Sequence, residues 1–339
     1  MGCIGLLLLL KGGYAGKAIF LAIFARKNHE YFDAMKQATH STPQKPFSGL
    51  SVALVTPFDD HNKIDFCSLE LLLKRVCGHV ENIVLFGTSG ESPTIHMEER
   101  HELLRFAKEK VKGQAKLILG LGSNDTTQLV QRLEQMDPDI VDGILSVVPY
   151  YNKPNATGIY RHFATVAQAS PLPIIIYNIP SRTGVNLSID TLLRLRDTYP
   201  KQIVGIKEAS GATIPERVTA IKQQIDKDFT ILSGDDQLNL QAMRAGADGA
   251  ISVVANAFPE LTQATLHINA PERAQKVDNA LEALYKLLFC EGNPTGIKAL
   301  LHALGILTHN TLRLPLVEAS ESLYHRLQEE ATRLSALIP

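Results

Sequence analysis

The stretch Val204-Gly205-Ile206-Lys207-Glu208-Ala209-Ser210-Gly211 sets a lysine at the end of an apolar run and follows it with a polar, glycine-bearing turn. With Gln202 and Ile203 leading in, the run reads as a buried strand. Side chains alternate along a strand, so Gly205 and Lys207 share one face and Val204 and Ile206 the other. With Val204 and Ile206 packed outward against helices, Lys207 points into the middle of the fold, beside a residue without a side chain. Burial disfavours the charged form of an amine, and a free amine attacks carbonyl carbon to give a Schiff base. The bland alternative is a strand-terminal lysine that snorkels to solvent. The neighbouring segments decide between the two.

Working outward, the same strand-and-helix pattern recurs from Phe47 on. Leu50–Val55, Ile83–Phe86, Leu117–Leu121, Gly143–Val148 and Pro173–Tyr177 read as strands before the lysine strand; Phe229–Ser233 and Gly249–Val253 follow it. Between them lie amphipathic stretches of helical period. Asp65 caps the one through Phe66, Leu69, Leu72, Leu73 and Val76. Others run over Glu98–Lys112, Thr126–Met136, Asn155–Ser170, Ser188–Thr198, Pro215–Ile225 and Gln237–Ala245, the last stopped by Gly246. Strands alternating with helices in this number predict an α/β fold, a (β/α)8 TIM barrel with a C-terminal helical extension. An open doubly wound sheet would need a GxGxxG turn. Gly87-Thr88-Ser89-Gly90 does not supply one, and Asp125 takes the last glycine position after Gly120-Leu121-Gly122. The expected division is an appendage and linker over 1–46, a catalytic barrel over 47–270 and a helical region over 271–339.

Composition excludes several classes. The 339 residues carry 34 Lys+Arg against 35 Asp+Glu, which offers no charge for nucleic acid or an anionic membrane. Cys3, Cys67, Cys77 and Cys290 form no CxxC pair, and Cys67 and Cys77 share a helix, so reduced thiols of a cytoplasmic protein are expected. The eleven histidines make no HxH or HExxH pattern, so neither a metal nor a cofactor is expected. The apolar runs Ile4–Leu10 and Ala18–Ala25 are too short to span a bilayer. Leu6 stands where an acylation motif needs Ser or Thr. Translation is expected to begin at Met35, which an intact mass of the natively expressed protein would check.

In a barrel the C-terminal ends of the strands form one mouth, where the active site lies. That mouth collects Thr88 and Ser89, Tyr150 and Tyr151, Tyr177 followed by Arg182, and Lys207. Taken singly, the Gly87–Gly90 segment could be a turn, the tyrosines packing aromatics and Arg182 half of a surface ion pair, and Asp235 and Asp236, which suggest metal ligands but have no third ligand near in sequence, read as a solvated loop or a helix cap. Together they make a consistent set. The amine forms a Schiff base, phenols and a hydroxyl relay protons, and an arginine and Ser/Thr hydroxyls hold carboxylates. That describes an aldolase-type lyase acting on an α-keto acid.

These residues resemble the 4-hydroxy-tetrahydrodipicolinate synthase (dihydrodipicolinate synthase) family of the bacterial lysine pathway, a branch of the Schiff-base aldolases. The matching stretches are FSGLSVALVTPF from Phe47, FGTSGES from Phe86, VPYYNKP from Val148, IIIYNIPSRTG from Ile174, VGIKEASG from Val204, LSGDD from Leu232 and GAISV from Gly249. The resemblance implies that Lys207 binds pyruvate as a Schiff base and that Tyr177, Thr88 and Tyr151 relay protons, Tyr151 reaching in from a neighbouring subunit. It implies that Ser89, where the family usually has a second threonine, holds the pyruvate carboxylate. Arg182 would bind the carboxylate of L-aspartate-4-semialdehyde, and the backbone at Gly234 and Ile251 would line the site. The implied assembly is a homotetramer, a dimer of dimers.

N-acetylneuraminate lyase and the 2-keto-3-deoxy sugar acid aldolases share the barrel and the lysine. They usually lack the arginine of Ser181-Arg182-Thr183-Gly184, which favours the synthase here. A non-catalytic barrel would have lost the nucleophile or the relay, and both are present. Lysine-inhibited members hold lysine through a histidine pair and a glutamate, where this chain has Met97, Arg100 and Gln128; Ser92, Asn124 and Tyr150 stay compatible. Weak or absent inhibition by lysine is expected, and half-maximal inhibition at low lysine concentration would contradict it.

Overall fold

The computed structural model describes residues 45–338. The expected Met35 start, Cys3 and the appendage up to residue 44 lie outside the described residues. Eight parallel strands, β1 (Gly49–Ala53), β2 (Asn82–Leu85), β3 (Lys116–Gly120), β4 (Gly143–Val147), β5 (Ile174–Asn178), β6 (Ile203–Glu208), β7 (Thr230–Ser233) and β8 (Gly249–Ser252), close in sequence order into a barrel. The seam pairs Gly49 with Gly249 through Val52 with Ser252. Helices α1 (Phe66–Val76), α2 (Met97–Val111), α3 (Thr126–Glu134), α4 (Ala156–Ala169), α5 (Ile189–Thr198), α6 (Ile214–Lys222), α7 (Asn239–Arg244) and α8 (Pro259–Leu266) follow the strands. The C-terminal helices are α9 (Pro271–Cys290), α10 (Thr295–Ala303) and α11 (Glu321–Ser335). The expected barrel with its helical extension is the observed fold.

Strand alternation divides the apolar residues between two cores. On β5, Ile174 and Ile176 pack outward with Leu192 and Leu195 of α5. Ile175 and Tyr177 face the lumen with Val84, Ile118, Leu145, Leu232 and Ile251. Full burial of each such aliphatic side chain is worth about 1.5–3 kcal/mol, so the two cores together fix the register around the barrel.

β6 departs from that alternation. Ile174 pairs with Ile203 and Ile175 with Gly205, which leaves Val204 as an extra residue. Val204 turns into the lumen, while Ile203 and Ile206 both face the helices. The expectation that Val204 packs outward is corrected: a bulge breaks the two-residue period at one position. Beyond it Ile206 pairs with Ile176 and Lys207 with Tyr177, so Lys207 keeps its inward direction. Gly205 is required by contact, since a Cβ there would stand 2.8 Å from the Thr230 carbonyl oxygen.

Local signals act as read. The Asp65 carboxylate accepts from the Cys67 and Ser68 N–H groups and caps α1. Gly246, at φ +103°, ends α7. The stretch read as one helix over Gln237–Ala245 is divided, a 3-10 turn at Asp236–Leu238 preceding α7. Cys77 lies one residue past α1 instead of within it, and Cys67, Cys77 and Cys290 are free thiols. Among the described residues no helix is long and apolar enough to cross a membrane, and no three His, Cys, Asp or Glu side chains gather as metal ligands.

Candidate active site

Lys207 and Tyr177 are partners across β5 and β6, each next to the last residue of its strand. Lys207 is 6% exposed, and its Nζ stands 4.2 Å from the centroid of the Tyr177 ring. The nitrogen thus sits over the electron-rich face of the ring. The residues that follow them point outward and lock the pair. Asn178 Nδ2 donates to Glu208 Oε1 at 2.8 Å, and Arg217 Nε of α6 donates to Glu208 Oε2 at 2.9 Å. Arg217 Nη2 also donates to the Leu187 carbonyl, and Asn178 Oδ1 accepts from Leu187 N–H. Glu208 is fully buried, and a buried carboxylate is stable only when its oxygens are filled in this way.

Gly234, directly after β7, lies against the lysine. A Cβ at Gly234 would stand 2.9 Å from Lys207 Cε and 2.8 Å from the Ala209 Cβ. Ile251 shares the lumen cluster with Tyr177. Asp235 caps the next turn through the Gln237 N–H; burial pushes its carboxyl up, against the pull of that N–H and of the Lys207 charge. Asp236 is buried instead of solvated. It accepts from the Val253 and Val254 N–H groups and from Asn239 Nδ2, tying the β7 loop to the end of β8.

Thr88 and Ser89 stand at the same end of the barrel, in a compressed loop after β2. Phe86 (φ 55°) and Glu91 (φ 52°) are both left-handed, a conformation that non-glycine residues seldom adopt. Gly120 permits it, because a Cβ there would overlap the Phe86 carbonyl. Thr56 Oγ1 donates to the Gly90 carbonyl at 2.8 Å. Residues after α9 grip the same loop. Asn293 Nδ2 donates to Ser89 Oγ at 2.9 Å, Lys298 Nζ pairs with Glu91 Oε1 at 2.5 Å, and the Arg313 N–H donates to Glu91 Oε2. Lys298 is fully buried over the Phe58 ring, and burial pushes its ammonium down to about 8 against the pull of Glu91. None of Asn293, Lys298, Arg313, Glu208 or Arg217 was among the residues expected from sequence.

Two expected site residues stand apart from the lumen. Tyr151 is 87% exposed on a segment where it and Lys153 are both left-handed. Arg182 lies exposed on a one-turn helix, Pro180–Thr183, that starts at a proline and stops at Gly184. Arg100 is turned inward: it stacks over Phe86 and donates to the Ile95 carbonyl and to Ser92 Oγ, while burial pushes it down to about 10. Ser92 is thereby engaged within the chain.

Residues 46–334 match the model of the dihydrodipicolinate synthetase family. A 4-hydroxy-tetrahydrodipicolinate synthase of Porphyromonas gingivalis is 48% identical over 278 residues, 81% of this chain and 93% of the relative. The crystal structure of dihydrodipicolinate synthase from Aquifex aeolicus superposes with a TM-score of 0.80 at 38% identity, covering 85% of this chain and 98% of that one. A structure described as a monomeric dihydrodipicolinate synthase variant gives 0.81 at 36% identity, covering 88% and 99%.

Proposed function

This chain belongs to the dihydrodipicolinate synthetase family, and we propose that it works through a Schiff base on Lys207. Its reaction is that of a 4-hydroxy-tetrahydrodipicolinate synthase, the lyase-class condensation of pyruvate with L-aspartate-4-semialdehyde in lysine and diaminopimelate biosynthesis. The observation that carries the residue assignment is the buried Lys207 amine against the Tyr177 ring. The amine attacks C2 of pyruvate, and the carbonyl oxygen leaves as water. Loss of a C3 proton gives an enamine, whose C3 bonds to the aldehyde carbon of the semialdehyde. The semialdehyde's own amine then closes the ring on C2 and releases Lys207.

Tyr177 is the proton carrier beside the lysine, with Thr88 and Tyr151 as the rest of the relay. Ser89 holds the pyruvate carboxylate, and Arg182 holds that of the semialdehyde; its exposed guanidinium makes no ion pair among the described residues. Gly234 and Ile251 line the pocket. The assembly that fits these roles is a homotetramer built as a dimer of dimers, supported by the exposure of Tyr151. The relative described as monomeric makes the assembly a separate question from the family. The setting is cytoplasmic, in keeping with the free thiols of Cys67, Cys77 and Cys290 among the described residues; recovery in a membrane or secreted fraction would contradict it.

Borohydride reduction with pyruvate, followed by peptide mapping, tests the reading. The expected result is a pyruvyl adduct on Lys207, lost in Lys207→Ala, together with turnover of the semialdehyde. An adduct without that turnover would point to the sugar-acid lyases, and the absence of an adduct would overturn the Schiff base.

A further inference from the structure

We propose that Asn293, in the turn between α9 and α10, is a positioning residue that sets the direction of the Ser89 hydroxyl and with it the hold on the substrate carboxylate. Ser89 is 1% exposed, and Asn293 is 9% exposed. The amide Nδ2 donates to Ser89 Oγ at 2.9 Å, while the amide Oδ1 accepts nothing among the described residues. A hydroxyl has one hydrogen and two lone pairs. With a lone pair filled by the amide N–H, the hydrogen is turned away from Asn293. No described side chain or carbonyl takes it. It is left for an external acceptor, and a carboxylate is the acceptor that makes the strongest bond with it.

The geometry is held from both sides. Two residues after Ser89, Glu91 is pinned by Lys298 and by the Arg313 N–H. On the other side, Thr295 Oγ1 donates to the Val317 carbonyl. The amide and the hydroxyl are therefore fixed relative to each other before substrate arrives, so that the hydrogen bond to the carboxylate needs no reorganisation.

The inference rests on Ser89 as the carboxylate ligand, and the test separates the two. The readout is the half-saturating pyruvate concentration for borohydride trapping at Lys207, with the kcat of the full reaction measured beside it. Ser89→Ala is expected to raise half-saturation about tenfold or more, the size of a charge-assisted hydrogen bond. Asn293→Asp keeps the shape but presents an acceptor, which draws the Ser89 hydrogen back. It is expected to raise half-saturation more than Asn293→Ala does, and Asn293→Ala is expected to add nothing once Ser89 is alanine. Trapping by Asn293→Asp at wild-type pyruvate overturns the proposal, as does an Asn293→Ala effect that persists undiminished in the Ser89→Ala background. Unchanged half-saturation in Ser89→Ala removes the carboxylate assignment itself and the proposal with it. Either Asn293 variant alone decides if the other does not fold.

Discussion

Gly234 leaves room for Lys207 by having no side chain. Its backbone lies where a Cβ would meet Lys207 Cε at 2.9 Å, Lys207 Cγ at 3.0 Å and the Ala209 Cβ at 2.8 Å. Ala209 is fixed to β5 through its N–H to the Asn178 carbonyl, so the strain would fall on the lysine. Gly234→Ala should therefore displace the lysine from its station over Tyr177. A displacement near 1 Å can cost on the order of a hundredfold in rate, while overpacking costs roughly 1–3 kcal/mol of stability. The expected outcome is a folded protein whose rate of borohydride-trapped adduct falls at least about tenfold. Trapping at the wild-type rate would show that the lysine does not depend on this contact. Lys207 itself was legible, because a lone lysine closing an apolar run has few places to go. Gly234 was named only through the family resemblance, since a glycine in a polar loop reads first as a turn.

At the scale of elements, the strands were legible and their couplings were not. Parallel strands buried on both faces are near-continuous apolar runs, which is why all eight could be read from sequence. The bulge at Val204 could not, because it depends on the register of β5 against β6. Nor could the grip of the C-terminal elements on the β2 loop, where partners lie 204 and 222 residues apart. One trace was present: α10 is buried at Thr295 through Leu301, so Lys298 is a lone charge in an apolar helix, which needs a partner. Lys298→Met keeps the bulk but strands Glu91 in a dry site. It is expected to cost about 3–5 kcal/mol in urea unfolding. The double variant Lys298→Met/Glu91→Gln should recover much of that loss, since a neutral pair leaves no bare charge. Strictly additive losses would mean that the two groups do not act as a pair.

At the scale of the whole molecule, one chain closes the barrel yet leaves Tyr151 outside it. A large aromatic side chain that is 87% exposed, on backbone that is left-handed at Tyr151 and Lys153, is held outward against its own preference. Sequence patterning speaks to burial within a chain and is silent about which exposed groups a second copy would cover, so Tyr151 was read as a phenol at the barrel mouth while its reach into a neighbouring subunit came only by resemblance. Its assignment across an interface can be tested by mixing two impaired variants. Lys207→Ala chains lack the nucleophile but retain the phenol to donate, whereas Tyr151→Phe chains have the nucleophile and lack the phenol. A hybrid pair then contains one complete site, Lys207 from one chain and Tyr151 from its neighbour. With free exchange half the pairs are hybrids with one intact site in two, so activity should return to about a quarter of wild type, as a two-fold interface requires. If Tyr151 served its own chain, every site in the mixture would lack one group or the other, and mixing would restore nothing.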